Sequence, residues 1–140
     1  MATRILVVDD EQIIRESLSF VLKKEGYQVE EAPNGVEALR KHEERPFDII
    51  ITDIEMPEMR GMDLLDRISQ RTPQTFVLII TAFASIETAV EALRKGAFDY
   101  ILKPIEFDDM LHRVKKLIEH RTLSSENSLL RQELNRTYDF

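Results

Sequence analysis

Five short strand-like runs, each followed at once by a helical pattern, constrain this 140-residue chain more than any other feature. The runs are Ile5-Leu6-Val7-Val8, Gln28 to Ala32, Ile49-Ile50-Ile51, Phe76-Val77-Leu78-Ile79-Ile80 and Tyr100-Ile101-Leu102. Most are apolar without alternation, the pattern of strands buried on both faces of a parallel sheet. Between and after them, apolar residues recur at helical spacing. These are Ile13, Ile14, Leu18, Val21 and Leu22, then Val36, Ala38 and Leu39, then Leu64, Leu65 and Ile68. Ile86, Ala89, Val90 and Leu93 give a fourth helix, and Phe107, Leu111, Val114 and Ile118 a fifth. Gly26 and Gly96 close the first and fourth helices, and Pro46 and Thr72-Pro73 stop the second and third. This alternation predicts an α/β fold, a doubly wound five-stranded parallel sheet with helices on both faces. Right-handed crossovers leave few topologies. The order 2-1-3-4-5 sets strands 1, 3, 4 and 5 side by side, with their carboxyl ends on one edge.

Composition narrows the function. A net charge of −7 argues against a chain that coats nucleic acid through its overall field. The absence of cysteine excludes a disulfide framework and thiolate metal sites, and suits a reducing cytoplasm. No apolar run approaches the roughly 20 residues that span a bilayer. Met1-Ala2-Thr3-Arg4 leads straight into a strand without a signal-peptide pattern, so a cytoplasmic location off the membrane is expected. His42, His112 and His120 are scattered and read as surface residues.

The strand ends carry the chemistry. Asp9 and Asp10 follow strand 1, Asp53 strand 3, Thr81 strand 4 and Lys103 strand 5. Asp53 alone reads equally well as a turn residue, and Lys103 alone as a surface ion pair worth at most about 1 kcal/mol. Four strands in succession ending on polar groups make a site. Crowded carboxylates repel one another unless a cation sits among them. With oxygen ligands only, that cation is hard: Mg²⁺ first, then Mn²⁺ or Ca²⁺. Lys103 and the Thr81 hydroxyl complete a pocket for a group with several acceptor oxygens, a phosphoryl group. A carboxylate can serve as its nucleophile and form an acyl phosphate, with catalysis largely a matter of positioning and charge neutralisation.

Residues 3 to 121 resemble the receiver domain of bacterial two-component response regulators. The resemblance rests on Val7-Val8-Asp9-Asp10-Glu11, Asp53-Ile54-Glu55-Met56-Pro57 with Gly61, Thr81-Ala82, and Lys103-Pro104, in the family's order and spacing. It implies the flavodoxin-like receiver fold, and a phosphoacceptor that catalyses only its own phosphotransfer and dephosphorylation. In that reading Asp53 takes phosphoryl from a sensor histidine kinase. Asp10, Asp53 and the backbone carbonyl of Glu55 would hold Mg²⁺, with Asp9 acting through water. Thr81 and Lys103 would bind the phosphoryl oxygens. Thr81 and Tyr100 would form the switch, Tyr100 turning inward once Thr81 moves to the phosphoryl. Glu55 and Phe83 occupy the family's rate-tuning positions; bulky Phe83 would hinder attacking water, so that Phe83→Ala would shorten the acyl-phosphate lifetime. The Lys103–Pro104 peptide is expected to be cis.

Beyond residue 121 no Gly or Pro interrupts the chain, and the fifth helix is expected to continue through 122–140 as a linker. Leu123, Asn127, Leu130 and Leu134 form a short a/d seam there. With Gly96-Ala97-Phe98-Asp99-Tyr100, this tail resembles that of an NtrC-like, sigma-54-dependent activator. A homodimer through helix 4, strand 5 and helix 5, continued by the linker, is expected. No phosphate-binding loop or helix-turn-helix follows residue 121, so contacts with DNA and with sigma-54 polymerase would belong to other domains of the parent. Two rival readings share parts of the pattern. An aspartate-nucleophile phosphatase of the haloacid dehalogenase type would want Asp-x-Asp after an early strand. A flavin-binding module would want a phosphate loop where Asp9-Asp10-Glu11 stands.

Overall fold

The computed structural model describes residues 2–56, 58–82 and 85–120. Its elements alternate as β1 (Arg4–Val8), α1 (Gln12–Lys24), β2 (Gln28–Ala32), α2 (Gly35–Glu44), β3 (Ile49–Asp53), α3 (Gly61–Arg71), β4 (Phe76–Thr81), α4 (Ile86–Arg94) and β5 (Asp99–Leu102). Residues 107–120 form a further helix, α5. The chain divides into two units, Met1–Phe107 and Asp108–Phe140. The boundary expected at 121/122, the linker and its seam lie at or outside the edge of the described residues.

The sheet is parallel throughout, in the order β2-β1-β3-β4-β5. All five residues of β3 are buried, as its unbroken isoleucine run requires. Leu6, Val8, Ile50, Val77 and Ile79 join Leu64, Leu65 and Ile68 of α3 in one core. β2 differs: as an edge strand it alternates exposed and half-buried residues before the buried Ala32. Side-chain oxygens cap α2 and α4, Asn34 accepting from the Glu37 N–H and Ser85 from the Thr88 N–H. Gly26 takes φ +97° just past α1, the left-handed stop its position announces. No helix of the described residues is long and apolar enough to cross a membrane.

Three details depart from the sequence reading. The α4 helix forms, but its apolar stripe faces outward: Ile86 is 85%, Val90 40% and Leu93 51% exposed, and Ala92 is the residue it buries. In α5 the buried residues are Met110, Val114 and Leu117, a face rotated from the one expected. His42 is buried rather than on the surface, whereas His112 and His120 are exposed. Its Nδ1 accepts the Phe47 N–H at 3.1 Å, which leaves the proton on Nε2, 2.7 Å from Thr72 Oγ1. Burial, and then the charge of Arg4, lower its pKa and keep the ring neutral.

Candidate functional site

Strand register assembles the site. Val8 pairs with Thr52, Asp53 with Ile80, and Thr81 with Leu102. Asp9, Asp53, Thr81 and Lys103 therefore stand within two residue steps of each other along the carboxyl edge. Asp9 and Asp53 are buried, and Asp10 is exposed. One carboxylate oxygen from each of the three lies within 4.8 Å of the others.

Lys103 lies across the two buried carboxylates. Its Nζ is 2.7 Å from Asp53 Oδ2, 3.1 Å from Asp9 Oδ2 and 4.0 Å from Glu11 Oε1. The Lys103–Pro104 peptide is cis, as expected. The Lys103 N–H donates to Thr81 O at 2.8 Å, tying β5 to β4 close to Asp53. Burial acts to lower the Lys103 pKa, but the hydrogen bonds and charges of Asp53 and Asp9 outweigh it, and the ammonium is held more firmly than usual. For Asp9 the balance runs the other way. Burial raises its pKa more than the Glu11 N–H and Lys103 lower it, and the charge of Asp53 adds to the rise.

Backbone donors orient the carboxylates. Asp9 Oδ1 accepts the Glu11 N–H at 2.9 Å, and Asp53 Oδ1 accepts the Glu55 N–H at 3.3 Å. Gly61 closes the loop behind Asp53 by donating its N–H to Ile54 O at 2.9 Å. Thr81 is fully buried, and Tyr100 is half-buried against the core, its phenol pKa raised by burial and then by the charge of Asp53. Glu55 is exposed and pairs with Arg60 at 3.4 Å. Phe83 and Pro57 lie outside the described residues.

Two side chains escaped sequence reasoning. Glu11 adds an exposed carboxylate beside Lys103. Arg15 reaches from α1 to the Asp9 carbonyl at 2.9 Å. A cation near a helix N-terminus opposes the helix dipole, and no acid in the first turn offsets it. That mismatch is the signal that could have drawn attention to Arg15.

This geometry agrees with what the chain is similar to: the response regulator receiver domain profile matches residues 5–115. The chain belongs to that family. Among curated proteins it is 43% identical over 120 residues to the transcriptional regulatory protein ZraR of Klebsiella oxytoca, covering 86% of this chain and 27% of that protein. It thus spans about a quarter of the length of such relatives. Among solved structures, NtrX from Brucella abortus superposes with a TM-score of 0.87 at 36% identity, covering 94% of this chain and 30% of NtrX. The beryllofluoride-activated NtrC4 receiver domain dimer gives 0.80 at 38% identity, covering 84% of this chain and 98% of that one. The NtrC-like resemblance is thus borne out. What matches is the receiver domain of response regulators.

Proposed function

We propose that this domain receives a phosphoryl group on Asp53 from the phosphohistidine of a sensor histidine kinase and, once phosphorylated, changes the output of an NtrC-like activator. The observation that carries the reading is the 2.7 Å contact of Lys103 Nζ with Asp53 Oδ2 inside a cluster of three carboxylates. The ammonium fixes the direction of the Asp53 carboxylate, and a carboxylate can act as a nucleophile toward phosphorus. An Asp53 oxygen attacks phosphorus, the P–N bond breaks, and its electron pair leaves on the imidazole nitrogen, which takes up a proton. In hydrolysis, water attacks phosphorus and the bond to Asp53 breaks, returning the carboxylate and inorganic phosphate.

The donor set suits Mg²⁺: three carboxylates close together, with no His or Cys in the cluster among the described residues. Asp10, Asp53 and the Glu55 carbonyl would hold it, with Asp9 through water, and it would neutralise charge on the phosphoryl oxygens. Lys103 and Thr81 would bind those oxygens, and Tyr100 would report the Thr81 shift to the surface. Glu55 and Phe83 would tune the lifetime.

An apolar cleft of about 210 Å³, lined by Ile13, Ile14, Leu18, Pro104, Ile105 and Phe107, opens beside Lys103 and supports docking of the kinase there. The exposed Ile86, Val90, Leu93 and Leu102 of α4 and β5 support self-association through helix 4, strand 5 and helix 5, continued by the linker 122–140 after a receiver of residues 1–121. The expected setting is cytoplasmic, with DNA and sigma-54 polymerase engaged by other domains of the parent. Intact mass after acetyl phosphate and Mg²⁺ tests the reading. One added phosphoryl is expected in the wild type and none in Asp53→Asn; no adduct in either overturns it.

A further inference from the structure

We propose that Arg15 is the positioning residue of the Asp9–Asp10 pair, setting the peptide between them so that Asp10 faces a bound Mg²⁺. The inference rests on the Mg²⁺-dependent phosphoacceptor reading above. Arg15 Nη1 donates to the Asp9 carbonyl at 2.9 Å, and Nε donates to Glu31 Oε1 at 3.2 Å. The arginine side chain is 16% exposed and that of Glu31 30%, so the link is largely shielded from water. Glu31 is itself fixed on β2, whose Ala32 carbonyl accepts the Asp9 N–H at 3.2 Å. Asp9 is thus held at its N–H by β2, at its carboxylate by Glu11 and Lys103, and at its carbonyl by Arg15.

The carbonyl matters because the peptide unit is planar. Fixing the direction of the Asp9 carbonyl fixes the Asp9–Asp10 plane, from whose far end the Asp10 side chain departs. Asp10 needs such help. It is exposed, and no described side chain donates to its carboxylate, yet one of its oxygens stands within 4.8 Å of those of Asp9 and Asp53. An arginine fork can serve two acceptors at fixed angles, which a lysine cannot.

Positioning and plain electrostatics predict opposite signs. Arg15 is a cation near a cation site, so removing its charge should tighten Mg²⁺ if charge is all that matters. If Arg15 positions Asp10, removing it should weaken Mg²⁺, by about tenfold for a partner that orients a ligand. Calorimetric titration of the 140-residue chain with MgCl₂ alone decides between them, for wild type, Arg15→Ala, Arg15→Lys and Glu31→Gln. The expected order is wild type tightest, Arg15→Lys and Glu31→Gln between, and Arg15→Ala weakest. The acetyl phosphate reaction of Arg15→Ala should likewise need about tenfold more Mg²⁺ to reach half of its own maximal rate. Should Arg15→Ala fail to fold, Arg15→Lys carries the test: it keeps the charge, so electrostatics alone predicts unchanged Mg²⁺ binding and positioning predicts weaker binding. Equal or tighter Mg²⁺ binding in the variants overturns the inference. Absence of Mg²⁺ binding by the wild type overturns the reading of the site instead.

Discussion

Gly61→Ala puts two effects of opposite sign in competition. Gly61 is the first residue of α3, and alanine in place of glycine inside a helix is ordinarily stabilising by about 1 kcal/mol. Here a Cβ would stand 2.8 Å from Ile54 Cα and 2.9 Å from Asp53 C, and closer still to Asp53 O. Carbon atoms pack comfortably at about 3.5–4.0 Å, so something must shift by close to that difference. All three atoms are backbone at the end of β3, with no flexible side chain among them to yield. Overpacking of this kind costs about 1–3 kcal/mol or more, and a backbone clash belongs at the upper end. The net expectation is a loss of about 2 kcal/mol in urea unfolding followed by circular dichroism. Two of the three atoms belong to Asp53 itself, so phosphorylation by acetyl phosphate should also slow by about tenfold or more. Gly26→Ala is the control. Its Cβ would meet nothing within 4 Å, and only the φ of +97° opposes it. It should lose about 1 kcal/mol and leave the phosphorylation rate unchanged. A Gly61→Ala protein as stable as wild type, with the wild-type rate, would refute the packing argument.

Other expectations follow from the charges. Lys103→Ala leaves two buried carboxylates facing each other. Breaking a fully buried pair costs about 3–5 kcal/mol, and with Lys103 12% exposed we expect about 2 kcal/mol by urea midpoint, together with loss of phosphorylation. Asp9 has a raised folded pKa, so its contribution to stability is present below its ordinary 3.8 and is lost as pH rises through the folded value. Asp9→Asn should therefore be more stable than wild type at pH 7, by about 1 kcal/mol, while binding Mg²⁺ less well; a lower urea midpoint would contradict this. His42 has a lowered folded pKa, so the stability it confers is present above its ordinary 6.5 and is lost as pH falls through the folded value. His42→Gln should flatten the fall in urea midpoint between pH 7 and pH 5.5, and an unchanged slope would place the titration elsewhere.

The sheet was legible because unbroken apolar runs such as Ile49–Ile51 have one stable home, between two layers of helices. The site was legible for the same reason. A strand end is a fixed place, and Asp9, Asp53, Thr81 and Lys103 are each at or one step past one. Helix faces were less legible. Periodicity shows that Ile86, Val90 and Leu93 share a stripe, but not whether anything in the chain covers it, and here they are exposed. His42 could not be read as buried, because its partners, the Phe47 N–H and the Thr72 hydroxyl, come from separate parts of the chain. Arg15 was missed because its acceptor is a backbone carbonyl, which no residue type announces. Gly61 was legible as the end of a loop, while its contact with the Asp53 backbone needed the fold.

The central claim is that Asp53 carries the phosphoryl group, and chemical trapping tests it most directly. The wild-type chain would be treated with acetyl phosphate and Mg²⁺, reduced with borohydride, digested and sequenced by tandem mass spectrometry. Borohydride converts an aspartyl phosphate to homoserine and leaves free carboxylates alone. The account predicts homoserine at position 53, dependent on both acetyl phosphate and Mg²⁺. Homoserine at position 9 or 10, or a phosphoryl adduct that resists borohydride, would contradict it.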